Sequence, residues 1–232
     1  GQKTKRMENI ILLHGALGSK EELYELATKL EKNYKVHCFD LEGHGQNAGE
    51  NNFSMQVFSE NISNYMKQKQ MENSHFFGYS MGGYAAMFFA KGHPERLGKI
   101  ICLGTKLEWN PEIAGKEVRS LDPDKIQEKV PHFAEALAKK HKNWEGVVKK
   151  TASMMLGLGR GNGLSQTDFK NIENEVLLIR GEEDKMVSIE ETRVVADLIP
   201  NGSWKNLKRA PHAIAKVDAD RLAEFIREFI GK

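Results

Sequence analysis

The chain has 232 residues, of which 40% are hydrophobic and 28% charged, with 34 Lys and Arg against 32 Asp and Glu. This composition is typical of a folded globular chain and excludes disordered and collagen-like classes. The formal net charge of +2 provides no field for a polyanion, so no nucleic-acid partner is expected.

Short apolar runs alternate with amphipathic patterns along the first hundred residues. The apolar runs predict strands over 9–14, 35–40, 74–79 and 99–104. The amphipathic patterns predict helices over 19–32, after the capping residue Ser54, and over 81–91. Strands that are separated by helices favour a parallel sheet covered on both faces.

The rhythm of strand and helix stops over 105–171, which contains no clear strand pattern. Helix starts are predicted at Asp122-Pro123 and at Pro131, and a third helix is predicted around Trp144. We interpret 105–171 as a helical lid inserted into a core formed by 1–104 and 172–232. Within the second part of that core, strands are predicted over 175–180 and 203–207, and helices over 188–198 and 216–230.

Three further patterns concern the environment of the chain. Residues 73–90 lack charged side chains, but glycines divide the stretch into a strand and a helix, so no membrane span is expected. Residues 1–9 lack the apolar core of a secretory leader. Cys38 and Cys102 stand far apart in predicted strands, which favours buried thiols over a disulfide. A cytoplasmic location is therefore expected.

The strongest chemical signal is the segment Gly-Tyr-Ser-Met-Gly-Gly at 78–83. It follows a predicted strand and opens a predicted helix, which is the context of a nucleophile elbow centred on Ser80. Glycines two residues before and after the serine relieve crowding in the strained turn. A bare Gly-x-Ser-x-Gly pattern occurs often by chance, and the flanking strand and helix are what favour a nucleophilic serine here.

A serine hydroxyl needs a base, and the base needs an orienting acid. Asp184 follows the strand predicted over 175–180, and His212 is the only histidine after it. The order Ser80, Asp184, His212 is the order expected for such an elbow. The alternatives are a surface acid for Asp184, which is flanked by Glu182 and Glu183, and a lone loop histidine for His212.

The turn after the first strand, His14-Gly15-Ala16, supplies a candidate oxyanion hole. The backbone amide of Ala16 is predicted to point towards the serine, and the amide of Met81 would complete the hole. The alternative is a plain turn between strand and helix.

Other candidates are a substrate pocket and a metal site. Trp144, Met154 and Met155 are candidates for the lining of an apolar pocket under the lid, although the pattern favours lid core, and Tyr79 is assigned to the same pocket. His14, His37, His44 and Asp40 lack metal-ligand spacing, so no metal and no cofactor are expected.

These motifs, together with Asp-Leu-Glu-Gly-His-Gly at 40–45, resemble the α/β-hydrolase family over nearly the whole chain except 105–171. The resemblance implies a three-layer α/β fold, with a mostly parallel sheet of about six strands, helices on both faces and a helical lid. The first predicted strand begins at residue 9, so the antiparallel hairpin that often leads the family's sheet is not expected.

The resemblance further implies an esterase- or thioesterase-like serine hydrolase acting through an acyl-enzyme on a small or medium acyl substrate. Alternatives of the same fold are a carbon–carbon bond hydrolase or lyase and a non-catalytic binding protein. The lid carries no motif for a particular substrate, and no pattern in the sequence bears on oligomeric state.

Overall fold

A six-stranded sheet organises the computed structural model, which describes residues 6–232. The strands are β1 (Glu8–Leu13), β2 (Tyr34–Cys38), β3 (Ser74–Tyr79), β4 (Leu97–Leu103), β5 (Val176–Gly181) and β6 (Gly202–Leu207). All neighbours pair in parallel, in the order β2-β1-β3-β4-β5-β6. The predicted parallel sheet of about six strands is confirmed. Residues 1–5, on which the expectation about a leader partly rests, lie outside the described range.

Ten α-helices accompany the sheet in the described part of the chain. They are α1 (Tyr24–Leu30), α2 (Met55–Gln68), α3 (Met81–Gly92), α4 (Pro111–Glu117), α5 (Pro123–Lys129), α6 (Pro131–Lys140), α7 (Trp144–Gly159), α8 (Gln166–Lys170), α9 (Ile189–Leu198) and α10 (Ala219–Ile230). Ser54 caps α2 through its side chain, which accepts from Val57 N at 3.1 Å. Asp122 caps α5, accepting from Asp124 N at 2.9 Å.

Two predicted helices differ at their first turns. The helix predicted over 19–32 begins as a 3₁₀ turn, Lys20–Leu23, because tertiary hydrogen bonds shape that turn. Lys20 N donates to Asp40 Oδ1 at 2.9 Å, and the Glu22 carboxylate accepts from Gly15 N at 2.8 Å. The helix predicted over 216–230 starts only at Ala219, where the Asp218 side chain caps it.

Successive side chains of the strands pack alternately into two hydrophobic cores, one on each face of the sheet. Ile11, Phe76 and Ile100 face the core that contains α2, α3 and α9, whereas Ile10 and Phe77 face the core that contains α1 and α10. All five of these side chains are fully buried. Successive residues of a strand point to opposite faces, so continuous apolar runs are what a sheet covered on both sides requires.

The segment between β4 and β5 carries α4 to α8 and no strand. A small cluster of buried residues joins α5, α6 and α7, namely Ile126, Ala134, Leu137 and Val148. Met154 and Leu158 of α7 instead pack into the core that contains α2 and α3. These helices therefore have a core of their own and are also anchored to the sheet domain.

The carboxyl ends of the six parallel strands lie along one edge of the sheet. The strand order changes direction at β1, which has β2 on one side and β3 on the other. Ligands of open α/β sheets bind outside the carboxyl ends at such a switch point. The residues that follow β1, β3, β5 and β6 are the ones that this topology brings together.

The chain has two cysteines, Cys38 and Cys102. Both thiols are free, and Cys102 is buried as predicted, but Cys38 is only partly buried because it lies near the end of the edge strand β2. Of the helices within residues 6–232, none combines the length and apolar content that a membrane crossing needs.

Candidate active site

Ser80 occupies the sharp turn between β3 and α3. Its backbone has φ 52° and ψ −115°, a conformation that residues other than glycine rarely adopt. Two hydrogen bonds hold it there: Ser80 N donates to Leu103 O at 2.8 Å, and Thr105 Oγ1 donates to Ser80 O at 2.8 Å. The end of β4 thus stabilises a strained conformation of the kind that is found at functional sites.

The glycines beside the elbow are required by close backbone contacts. A Cβ on Gly78 would overlap Gly83 N, and a Cβ on Gly82 would overlap Leu13 O. Atoms cannot approach so closely without displacing β1 or α3. The glycine spacing seen in the sequence therefore reflects how tightly α3 packs on the ends of β1 and β3.

His212 and Asp184 reach Ser80 from the loops after β6 and β5. His212 Nε2 lies 3.4 Å from Ser80 Oγ, and His212 Nδ1 lies 2.8 Å from Asp184 Oδ2. The second contact fixes the tautomer, since Nδ1–H donates to the carboxylate and leaves Nε2 as an acceptor. The serine contact is long for a hydrogen bond, as is usual before a substrate is bound.

Asp184 is held as a carboxylate inside the protein. It is only 5% exposed, and its other oxygen, Oδ1, accepts from Met186 N at 2.8 Å and Val187 N at 3.0 Å. Burial by itself would raise the pKa of Asp184, but the hydrogen bond and charge of His212 and these two amides outweigh burial and lower it. A buried anion is thus available to stabilise a protonated His212.

The amides predicted for an oxyanion hole belong to residues that line one cavity with Ser80. Met81 is the first residue of α3, where backbone N–H groups lack helical partners and the helix dipole is positive. Ala16 lies in the loop after β1, the strand beside β3 at the switch point of the sheet, and it lines the same cavity. Within residues 6–232, neither amide donates to a protein acceptor. Both N–H groups are therefore free to bind a developing oxyanion.

Two buried histidines brace the turn that carries Ala16. His14 Nδ1 donates to Gly15 O at 2.8 Å, and its Nε2 accepts from Leu41 N at 3.0 Å. His44 Nδ1 donates to Glu42 O at 2.9 Å, and its Nε2 accepts from Leu17 N at 3.3 Å. Each ring uses one nitrogen as an acceptor, so each must be neutral. Burial lowers the pKa of His14 to about 4 and that of His44 well below its ordinary value.

We expect the free energy of unfolding to fall as the pH drops from 6.5 to about 4, with a contribution of about 3 kcal/mol from His14. The folded pKa lies below the unfolded one, so the unfolded chain binds the proton first. The stabilisation is complete above 6.5 and is lost on acidification. Denaturant titrations over this range measure it. His14→Asn should flatten the pH dependence, whereas His132→Gln, at an exposed site, should leave it unchanged; equal pH dependence in both variants would contradict the prediction.

Two cavities meet at Ser80. The first is lined mainly by methionine and aromatic side chains, among them Met55, Tyr84, Trp109, Met154, Met155 and Met186. The second also contains Ser80 and is lined by His212, Tyr79, Leu17, Thr151 and Glu117. Only the second cavity contains the imidazole. The two cavities share Ala16, Ser80, Met155 and Met186, and they differ in chemistry through the imidazole and Glu117, which line only the second.

The residues predicted for the substrate pocket are divided between these regions. Met154 lines the first cavity, Met155 lines both, and Tyr79 lines the second, where its hydroxyl donates to His212 O at 3.0 Å. Trp144 lines neither cavity, because it begins α7 and packs against the small cluster of α5 to α7. Met55, Tyr84, Trp109 and Met186 were missed by the sequence interpretation, since each lies on a different element and only the fold brings them together.

His37 and Asp40, which lack metal-ligand spacing in the sequence, are engaged with protein partners. His37 contacts Tyr65 Oη and Asn9 Oδ1 at 3.0 Å each, and Asp40 accepts from backbone amides. In the part of the chain that the structure describes, no group of three or more His, Cys, Asp or Glu residues is arranged to hold a metal ion.

Comparisons with known proteins give one matching family and many relatives. The family model described as the alpha/beta hydrolase fold matches residues 8–148. A pimeloyl-[acyl-carrier protein] methyl ester esterase of Aeromonas hydrophila is 24% identical, over 96% of this chain and 95% of the esterase. A 2-hydroxymuconate semialdehyde hydrolase of Pseudomonas putida is 21% identical, over 82% of this chain and 74% of the hydrolase. Among solved structures, an enol-lactonase from Burkholderia xenovorans superposes with a TM-score of 0.78 at 17% identity, covering 100% of this chain and 94% of the lactonase.

Proposed function

This chain belongs to the α/β-hydrolase fold family, and we propose that it is a serine hydrolase that cleaves small or medium acyl esters or thioesters. One observation carries the proposal: Ser80 Oγ, the His212 ring and the Asp184 carboxylate form a continuous line of contacts at 3.4 and 2.8 Å. A serine with a base in reach, and a buried anion behind that base, is the arrangement that acyl transfer requires.

In the proposed acylation step, Ser80 Oγ attacks the substrate carbonyl carbon while its proton passes to His212 Nε2. The carbonyl oxygen becomes an oxyanion that accepts from the amides of Ala16 and Met81. In a comparable site one such donor contributes about 3–4 kcal/mol to the transition state. His212 then gives the proton to the leaving oxygen or sulfur as its bond to carbon breaks.

Deacylation repeats these steps with water as the nucleophile. Water attacks the acyl-enzyme carbonyl and gives a proton to His212, and the same two amides hold the second oxyanion. The bond to Ser80 Oγ breaks, the serine takes back its proton and the free acid leaves. Asp184 stays ionised throughout and stabilises the imidazolium that forms twice per turnover.

The two cavities support an assignment of substrate parts. The leaving group must depart beside the proton on His212, so we assign it to the cavity that contains His212. The acyl chain then occupies the cavity of methionine and aromatic side chains. Apolar walls with a few polar groups at one end are typical of small-molecule sites, and methionines adapt to varied chain shapes. We further propose that residues 105–171 act as a lid, since Met154 and Met155 of α7 come from this segment.

A second candidate is hydrolysis of a carbon–carbon bond. The relative from Pseudomonas putida motivates this candidate, because its name specifies a semialdehyde hydrolase and a semialdehyde group contains no ester bond to cleave. A third candidate, a binding protein without catalysis, has against it that serine, histidine and aspartate are all present and in contact.

A substrate panel tests the proposal. Nitrophenyl esters from acetate to palmitate and acyl-CoA thioesters of the same lengths are incubated with the wild-type protein, and kcat/KM is measured for each. We expect a maximum between butyrate and octanoate. A response at background across both series would overturn the proposal, and cleavage of a vinylogous diketone in the same protein would favour the carbon–carbon candidate.

Filling the acyl cavity should shorten the preferred chain. In Met154→Trp, the larger indole occupies space that a long acyl chain needs, and we expect kcat/KM for octanoate to fall about tenfold or more relative to acetate. Leu156→Trp on the same helix is the matched control, because Leu156 is 36% exposed and does not line the cavity. If both variants keep the wild-type chain-length profile, the acyl assignment is wrong.

A further inference from the structure

Leu17 is held in an unusual conformation one residue after the proposed oxyanion-hole amide of Ala16. Its φ is 64°, which is rare for a side chain of this size. Both of its backbone groups are bound by histidines: Leu17 N donates to His44 Nε2 at 3.3 Å, and Leu17 O accepts from His141 Nε2 at 2.8 Å. His44 belongs to the loop after β2, but His141 lies between α6 and α7 in the 105–171 segment.

His141 bridges two loops at the edge of the sheet. Its Nδ1 accepts from Gly45 N at 2.8 Å while its Nε2 donates to Leu17 O. The residue is only 3% exposed, and its ring lies against His44 with centroids 5.6 Å apart. Because one nitrogen accepts and the other donates, the ring has a single tautomer and a single orientation that satisfy both loops.

A short chain of hydrogen bonds leads from His141 to the Ala16 amide. The peptide group between Leu17 and Gly18 receives the His141 bond at its oxygen, and its N–H donates to Gly15 O at 3.1 Å. Gly15 O belongs to the peptide group whose other end is the Ala16 N–H. His14 Nδ1 donates to the same Gly15 oxygen, so the Leu17 carbonyl and His14 together fix the direction of that N–H.

The side chain of Leu17 also contacts the 105–171 segment. It packs against the small buried cluster of α5, α6 and α7, formed by Ile126, Ala134, Leu137 and Val148. The 105–171 segment thus contacts Leu17 at both its side chain and its carbonyl.

We propose that His141 is a positioning residue through which the 105–171 segment sets the oxyanion-hole amide of Ala16, so that full activity requires this segment to be seated on the loop after β1. The inference rests on the proposed function, because it assigns a role in that reaction. The inference goes beyond the proposed function because it gives a residue outside the catalytic triad, His141, a role in controlling catalysis.

Two replacements of His141 separate its two hydrogen bonds. In His141→Gln, the side-chain amide nitrogen takes the place of Nε2 and still donates to Leu17 O. In His141→Asn, the side-chain amide oxygen takes the place of Nδ1, so only the hydrogen bond from Gly45 N is kept. A displacement of about 1 Å in a catalytic group can cost about 100-fold. We expect kcat for His141→Asn to fall roughly 10- to 100-fold with KM changed less than about threefold, and kcat for His141→Gln to stay within about threefold of wild type.

A control variant separates this effect from loss of packing. Phe169→Leu shortens a buried side chain of α8 in the same segment, and Phe169 lines neither cavity at Ser80. It should lower Tm and leave kcat within about threefold of wild type. The inference is overturned if His141→Asn keeps wild-type kcat, or if His141→Asn and His141→Gln lose kcat equally.

Different results would contradict the proposed function and the role of His141. If wild-type protein hydrolyses no acyl ester and Ser80 does not react with a fluorophosphonate, the proposed function fails. If wild-type protein is active and His141→Asn is equally active, only the role of His141 fails.

Discussion

Ser80→Ala is expected to lower kcat for the best ester by about a millionfold, the cost of removing the nucleophile from a comparable triad. Alanine cannot form the acyl-enzyme, so only the oxyanion-hole amides and substrate binding remain to accelerate direct attack by water. The residual rate should still exceed the uncatalysed one by about 10³- to 10⁴-fold. KM should change little, because only one hydroxyl is removed from the cavity lining.

The matched control for this variant is Ser203→Ala, which removes a hydroxyl from an exposed position near the start of β6. Ser203→Ala should keep wild-type kcat. Both variants should also keep wild-type Tm to within a few degrees, since alanine at position 80 retains a Cβ and the strained turn. A Ser80→Ala protein that keeps more than about one hundredth of wild-type kcat would contradict a nucleophilic role for Ser80.

Asp184→Asn is expected to lower kcat about 10⁴-fold through a change of tautomer. Asp184 Oδ1 accepts from the amides of Met186 and Val187, so the oxygen of an asparagine side chain must stay on that side. Its NH₂ group then faces His212 Nδ1 and donates to it. The imidazole proton moves to Nε2, which can no longer accept the proton of Ser80.

Glu183→Gln is the control for Asp184→Asn, because it neutralises the adjacent, exposed carboxylate without touching His212. It should leave kcat within about threefold of wild type, since exposed charges are screened by solvent. Steady-state kinetics of the two variants on one ester measure the difference. A loss of less than about tenfold in Asp184→Asn would mean that Asp184 does not set the tautomer of His212.

The sheet and the elbow could be predicted because their signals are local. Runs such as Ile10–Leu13 are continuous and apolar, since both faces of the sheet are covered, and the close contacts at Gly78 and Gly82 demand glycine at fixed positions. The order of Ser80, Asp184 and His212 along the chain added long-range information that spacing within one element could not supply.

The walls of the cavities could not be predicted in the same way. Met55 begins α2, Tyr84 lies in α3, and Met186 follows Asp184, so their meeting depends on tertiary packing. Trp144 illustrates the opposite case, since a large aromatic residue at a helix start has the composition of a pocket residue and yet packs among α5 to α7.

His141 carried no local signal either. A single histidine between two helices has no motif, and its role depends on two backbone groups that are 96 and 124 residues away in sequence. The prediction of an α-helical first turn for 19–32 was wrong for a related reason. Hydrogen bonds with Asp40 and Gly15 override the helical pattern there. The hydropathy pattern of a sequence does not predict the role of a residue whose partners are backbone atoms of distant loops.

Intact-mass spectrometry after treatment with a fluorophosphonate tests the central claim most directly. The probe phosphonylates an activated serine and places its oxygen in the oxyanion hole. We expect wild-type protein to gain one adduct, peptide mapping to place it on Ser80, and Ser80→Ala to gain none. Wild-type protein that stays unlabelled, or Ser80→Ala protein that labels as fast as wild type, would contradict the account.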